Sequence, residues 1–138
     1  MEAIILIGIQ GAGKTTFYRE RFLETHVRIS LDMLRTRRRE QLLLTACLNA
    51  GQRFVIDNTN PTVDDRARYI PQCRAAGFRV IAYYLQIALR DAIARNNTRP
   101  GKQRVPVPAM ISAFNRLQLP TLDEGFDEVH TIEFAPAK

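Results

Sequence analysis

Ala3 to Thr15 reads as five consecutive apolar side chains, Ala-Ile-Ile-Leu-Ile, running directly into Gly8-Ile-Gln-Gly-Ala-Gly-Lys14-Thr15. An uninterrupted apolar run of this kind is a strand buried on both faces, as in the middle of a parallel sheet covered by helices. The segment after it matches GxxxxGK[ST] at every fixed position. It lies between a strand and the start of a helix, the context a phosphate-binding loop needs. Its glycines let backbone N–H groups turn inward without a Cβ clash, making a nest for anionic oxygens. The helix N-terminus adds partial positive charge. Gly8, Ile9, Gln10, Gly11, Ala12, Gly13, Lys14, Thr15 and Thr16 are therefore the expected site of a nucleoside triphosphate. Lys14 is expected at the β- and γ-phosphates and the Thr15 hydroxyl on Mg2+. A glycine-rich turn that binds nothing is the alternative, disfavoured by the flanking strand and helix. Such a loop serves kinases, motor ATPases and switch GTPases alike, so other residues must decide the chemistry.

The 138 residues suit one domain, spanning 1–138, and the 46% apolar content suits an ordinary core. The formal charge of +6 favours an anionic partner. Almost all of it is arginine, the lysines being Lys14, Lys102 and Lys138. Cys47 and Cys73 stand far apart without a CxxC pattern and read as buried free thiols of a reducing compartment. The opening apolar run is too short for a signal peptide or membrane span, so a soluble, cytoplasmic protein with no membrane partner is expected.

Strand-like and helix-like stretches alternate, predicting a three-layer α/β P-loop NTPase fold with a mostly parallel five-stranded sheet. The strands are expected at 3–7, 27–30, 54–57, 80–85 and 129–134. Helices are expected at about 13–24, 34–50 and 62–76, from the fourth strand to about Asn96, and at 107–117. Gly51 and Gly77 close the second and third, and Pro71 should bend or shorten the third. The polar segment Asn97–Arg104 interrupts this rhythm, making about 96–106 a candidate small lid.

Ligands of open parallel sheets gather at the carboxyl ends of strands. Two carboxylates fall there, Asp32 after the second strand and Asp57 after the third. Asp32 is a candidate general base, because an acceptor hydroxyl attacks poorly unless its proton leaves in step. Arg35, one turn on, can hold a phosphate of the acceptor. Asp32 equally suits a helix N-cap. Asp57 resembles a Walker-B aspartate that reaches magnesium through water. Its alternatives are to orient Lys14 or Thr15, or to belong to a helix start in which Asn58 or Asn60 precedes Pro61. Arg95 and Arg99 stand one turn apart beside the lid, with Arg104 beyond. They are candidates for neutralising the transferring phosphoryl group, against the alternative of a solvated basic face. Arg37-Arg-Arg39 either steers a nucleic-acid backbone or is an exposed face partly balanced by Glu40.

Taken together, GxxGxGKT (8–15), LDMLR (31–35), VIDNTNP (55–61) followed by RARYI (66–70), and RNNTR (95–99) resemble the kinase domain of polynucleotide 5′-hydroxyl kinases. The likeness is greatest to the polynucleotide kinase–phosphatase type and runs from Ile4 to about Phe134. It implies ATP-dependent phosphorylation of the 5′-hydroxyl of a DNA or RNA end. Asp32 then falls on the general base and Arg35 on the arginine at the acceptor phosphate. Arg95 and Arg99 fall on the lid arginines at the donor phosphates, Lys14 and Thr15 keep their loop roles, and Asp57 falls on a partly structural aspartate. A DxDxT phosphatase motif and a separate nucleic-acid-binding module are missing, so kinase activity alone is expected. Two rivals stay open: a small-metabolite kinase, and a nucleotide-binding regulator or ATPase module that phosphorylates no acceptor.

Overall fold

The computed structural model describes residues 1–101 and 104–134. Five strands form one sheet: β1 (Glu2–Ile7), β2 (Val27–Ile29), β3 (Phe54–Ile56), β4 (Arg79–Gln86) and β5 (Glu128–Glu133). Their order is β2-β3-β1-β4-β5. Every pairing is parallel, not merely most of them. The apolar run of β1 explains its central place: Ile4 pairs with Val55 on one side and Ile81 on the other, and its side chains serve both faces.

Alternation along β1 sorts the core into two layers. Ala3, Ile5 and Ile7 pack with Ile29, Phe54 and Ile56 under α3 (Arg37–Ala50) and α5 (Ile70–Ala75), through Leu44, Cys47, Ile70 and Cys73. Ile4 and Leu6 pack with Val55 and Leu85 under α1 (Lys14–Arg21), α6 (Leu89–Asn97) and α7 (Val107–Arg116), through Phe17, Ala92, Met110 and Ala113. Both cysteines are buried free thiols, and burial pushes the Cys73 thiol up to about 12. No helix among the described residues is long and apolar enough to cross a membrane.

Three helices depart from expectation, each for a local reason. The first stops at Arg21. The stretch expected as one helix from Leu34 is two, a single turn α2 (Leu31–Leu34) and α3. They are separated by Arg35 at φ 75° and by Thr36, whose hydroxyl caps the Arg39 amide. The stretch from Thr62 breaks into α4 (Val63–Ala67) and α5, with Pro71 in the first turn of the latter, where a missing N–H costs nothing. The cap of α4 is Thr62, through a reciprocal box with Asp65, not Asn58 or Asn60. Asn60 instead turns its amide inward to the Leu6 carbonyl at 2.8 Å. Arg66, fully buried, ties this region to the far end of the chain. It binds both Glu124 oxygens at 2.7 and 3.0 Å and donates to the Asn60, Pro61 and Gln118 carbonyls.

Candidate active site

The turn from β1 into α1 carries Gly11 at φ 85° and Gly13 at φ 94°, a conformation that strains any residue with a Cβ. At Gly11 space is equally limiting: a Cβ would lie 2.5 Å from the Ala92 carbonyl oxygen of α6. The Gly8 amide donates to the Thr59 carbonyl at 3.0 Å, joining the loop to the end of β3. Lys14 folds back over the loop and donates to the Gly8 and Ile9 carbonyls at 2.8 and 3.0 Å. Burial pulls its pKa down to about 8; Asp57 and Asp32 work against that, while Arg99 adds to it.

Beside the loop lies a cleft of about 250 Å3. Lys14, Thr15 and Asp57 line it together with Asp32, Arg99 and Arg28. The ends of β1, β2 and β3 therefore contribute to one crevice, as a parallel sheet dictates where its strand order reverses. Asp57 is buried and accepts from the Thr15 hydroxyl at 3.2 Å. The same Asp57 oxygen accepts from Arg28 Nε at 2.7 Å, and Arg28 Nη2 lies 3.4 Å from the Thr15 hydroxyl.

Asp32 sits in the first turn of α2, whose N-cap position is Ser30. A network beneath fixes that turn. Asn58 Oδ1 accepts the Leu31 amide at 2.9 Å, and its Nδ2 donates to Glu40 at 2.9 Å and to the Tyr69 hydroxyl at 3.2 Å. Glu40 is no surface counter-charge: its side chain is 2% exposed, and it also takes Arg37 and the Tyr69 hydroxyl. Burial, with the Glu40 charge beside it, pushes Tyr69 up to about 12. Arg35 ends α2, is exposed, and does not line the cleft.

Arg95 and Arg99 part company. Helix α6 ends at Asn97, between them. Arg99 lines the cleft, whereas Arg95 lines a second cavity of about 180 Å3 on the other side of the loop, with Thr16, Phe17 and Phe134. Its guanidinium lies 4.9 Å from the Phe134 ring centroid, a cation–π contact, and close above Gly13. Asn96, fully buried, closes the base of the candidate lid by bonding the Val105 carbonyl at 2.7 Å and the Val105 amide at 2.9 Å. Arg104 folds back onto the Asn97 and Arg99 carbonyls. Residues 102 and 103 of that segment lie outside the described residues.

Arg28, Asn96 and Phe134 belong to this architecture without being candidates from the sequence, and Asn58 and Glu40 enter it in roles other than a helix start and a surface counter-charge. Arg28 carried a signal, a lone charge inside the short apolar strand Val27–Ile29. Glu40, three residues after Arg37, carried another.

The profile of a protein family described as the AAA domain matches residues 36–119. The chain belongs to this family. Its P-loop and all-parallel five-stranded sheet give it the fold of P-loop kinases of known structure. Two curated relatives are similar over 96% of this chain. One is the bifunctional polynucleotide phosphatase/kinase of Schizosaccharomyces pombe, 27% identical. The other is the putative bifunctional polynucleotide phosphatase/kinase of Acanthamoeba polyphaga mimivirus, 30% identical. The chain spans about a third of the length of either, 34% and 33%. Among solved structures, a gluconokinase from Sinorhizobium meliloti superposes with a TM-score of 0.69 at 14% identity, over 99% of this chain and 84% of its own, a likeness of fold.

Proposed function

We propose that this kinase transfers the γ-phosphoryl group of ATP to the 5′-hydroxyl of a DNA or RNA end. The observation that carries the reading is that Asp32 lines the same cleft as Lys14 and Arg99. A carboxylate able to take a proton is thus in one crevice with the cations assigned to the donor phosphates. Both curated relatives are named for polynucleotide phosphatase/kinase activity, which supports the choice of acceptor.

In this mechanism the loop amides and Lys14 hold the donor phosphates, Lys14 exchanging its carbonyl partners for phosphate oxygens. Asp32 accepts the hydroxyl proton as the new O–P bond forms in line with the breaking bond to ADP. Arg99 stabilises charge on the transferring group. Arg35, exposed at the end of α2 and outside the cleft lining, is assigned to a phosphate further along the acceptor strand. Arg95 and Phe134 form the wall on which the donor base lies. Thr15 and Asp57 fit the magnesium ion expected in such a kinase: their oxygens stand 3.2 Å apart, near the roughly 3.0 Å between neighbouring ligands of an octahedral shell with about 2.1 Å bonds. That ion, when bound, neutralises charge on the β- and γ-phosphate oxygens.

The test is transfer from labelled ATP to 5′-hydroxyl DNA and RNA oligonucleotides in parallel, with Asp32→Asn as control. Transfer to an end, lost in Asp32→Asn, is the expected result. No transfer to either acceptor at high enzyme concentration overturns the reading. Salt separates it from a small-metabolite kinase: polynucleotide binding weakens steeply as salt rises, binding of a sugar does not.

A further inference from the structure

We propose that Arg28 is a stand-in cation for the metal position: in the nucleotide-free kinase its guanidinium occupies the Thr15–Asp57 oxygen pair, and it withdraws when a divalent ion arrives with the nucleotide. The inference rests on reading Thr15 and Asp57 as the metal-side residues.

The Asp57 side chain is 2% exposed, and a carboxylate so placed is costly without a partner of opposite charge. Lys14 does not supply that partner, since its ammonium is turned to the Gly8 and Ile9 carbonyls. Arg28 does. Its planar fork suits two targets at once, with Nε 2.7 Å from Asp57 Oδ2 and Nη2 3.4 Å from Thr15 Oγ1. A lysine could reach one of them as a point charge but not span both. Arg28 also has a way out. It lies on β2, an edge strand, and its side chain is 27% exposed, against 2% for its aspartate partner.

The two cations compete for one oxygen. A dication approaching the empty site must remove a guanidinium from Asp57 Oδ2, so the bare protein binds metal weakly. A triphosphate changes the balance by bringing its own oxygens and negative charge. The metal then enters together with the nucleotide, and free ions are kept out of the loop. Arg28 acts as a positioning residue in the absence of nucleotide and as a barrier to metal alone.

The experiment measures binding of Mn2+ alone to the nucleotide-free protein by electron paramagnetic resonance. Arg28→Gln is expected to bind Mn2+ at least about tenfold more tightly than the unaltered protein, because a like charge has been removed next to a dication. Arg28→Lys should fall between them and Asp57→Asn below both. Equal affinity in Arg28→Gln and the unaltered protein, with Asp57→Asn weaker, overturns the role of Arg28 alone. Asp57→Asn equal to the unaltered protein, with and without ADP, overturns the metal-side reading and the inference with it. Should Arg28→Gln not fold, nuclear magnetic resonance of the unaltered protein decides. The Arg28 Nε proton should exchange slowly in the free protein and with ADP, and rapidly once Mg2+ joins ADP. A proton that stays protected with Mg2+ and ADP overturns the proposal.

Discussion

The side chain of Asn58, at the end of β3, holds the backbone of Leu31, at the start of α2, by a 2.9 Å hydrogen bond from the Leu31 amide. Two strand ends are thereby locked together, and the turn presenting Asp32 inherits its position from a residue that need not touch the acceptor. Asn58→Ala leaves the Leu31 amide without its acceptor, while Glu40 Oε2 keeps the Tyr69 hydroxyl. An unmet buried donor costs about 1–3 kcal/mol. Steady-state kinetics should show kcat reduced at least about tenfold with KM for ATP little changed. A rise in KM for ATP with kcat intact would place Asn58 on the donor side instead.

Arg99 and Arg95 should separate in kinetics as they do in space. Arg99→Ala is expected to lower kcat by about a hundredfold, the cost of removing one preorganised donor from a developing charge. Arg95→Ala and Phe134→Ala should instead weaken ATP binding, read as KM for ATP, with a smaller loss in kcat. Equal losses of kcat in Arg95→Ala and Arg99→Ala would contradict this division.

Lys14 links nucleotide affinity and stability to pH in opposite senses. Its folded pKa of about 8 lies below its ordinary value of 10.5. Between these values the unfolded chain binds more protons than the folded one, so stability of the free protein rises with pH across that window. Below pH 8 the lysine is charged in both states and the burial cost is fully present. Nucleotide phosphates favour the ammonium, so ATP binding near pH 9 should take up a proton, measurable by calorimetry in buffers of different ionisation enthalpy. Lys14→Met should raise the melting temperature of the free protein at pH 7 while abolishing ATP binding.

Arg66 is a structural counterpart to these active-site charges. Arg66→Met strands the Glu124 carboxylate and takes the donor from the Asn60 and Gln118 carbonyls, at a cost of about 3–5 kcal/mol in urea unfolding. The double variant Arg66→Met with Glu124→Met should recover a large part of that loss, since no charge is then left buried without a partner.

What could be read from the sequence follows the range of the interactions involved. The β1 run and the glycine-rich loop are local signals, and they located the sheet centre and the tight turn from β1 into α1. Breaks within helices were harder. Arg35 adopts φ 75° and splits a periodic stretch, because Thr36 caps the next helix just after it. Spacing placed Arg95 and Arg99 on one helical face, but that rule lapses where the helix ends, at Asn97. Arg28 and Asn58 depend on strand pairing, which brings Arg28 beside Val55 and carries it to Asp57 two positions further on. Glu40 looked like a surface charge because its partners, Asn58 and Tyr69, are distant in the chain.

The Ala92 carbonyl occupies the space that a side chain at Gly11 would need. Gly11→Ala should therefore cost both the left-handed backbone and that contact, and lose nucleotide binding even where the protein still folds.

The same contact works in reverse. The phosphate loop is propped from behind by the α6 backbone, and α6 in turn leans on Met110 and Ala113 of α7. Its curvature can thus be altered from the rear. A larger or smaller residue at Met110, remote from every group that would meet a ligand, shifts the prop and with it the spacing of the loop amides. Under the proposed function, affinity for nucleotide is expected to be adjustable through this core position, with the acceptor side of the cleft left as it was.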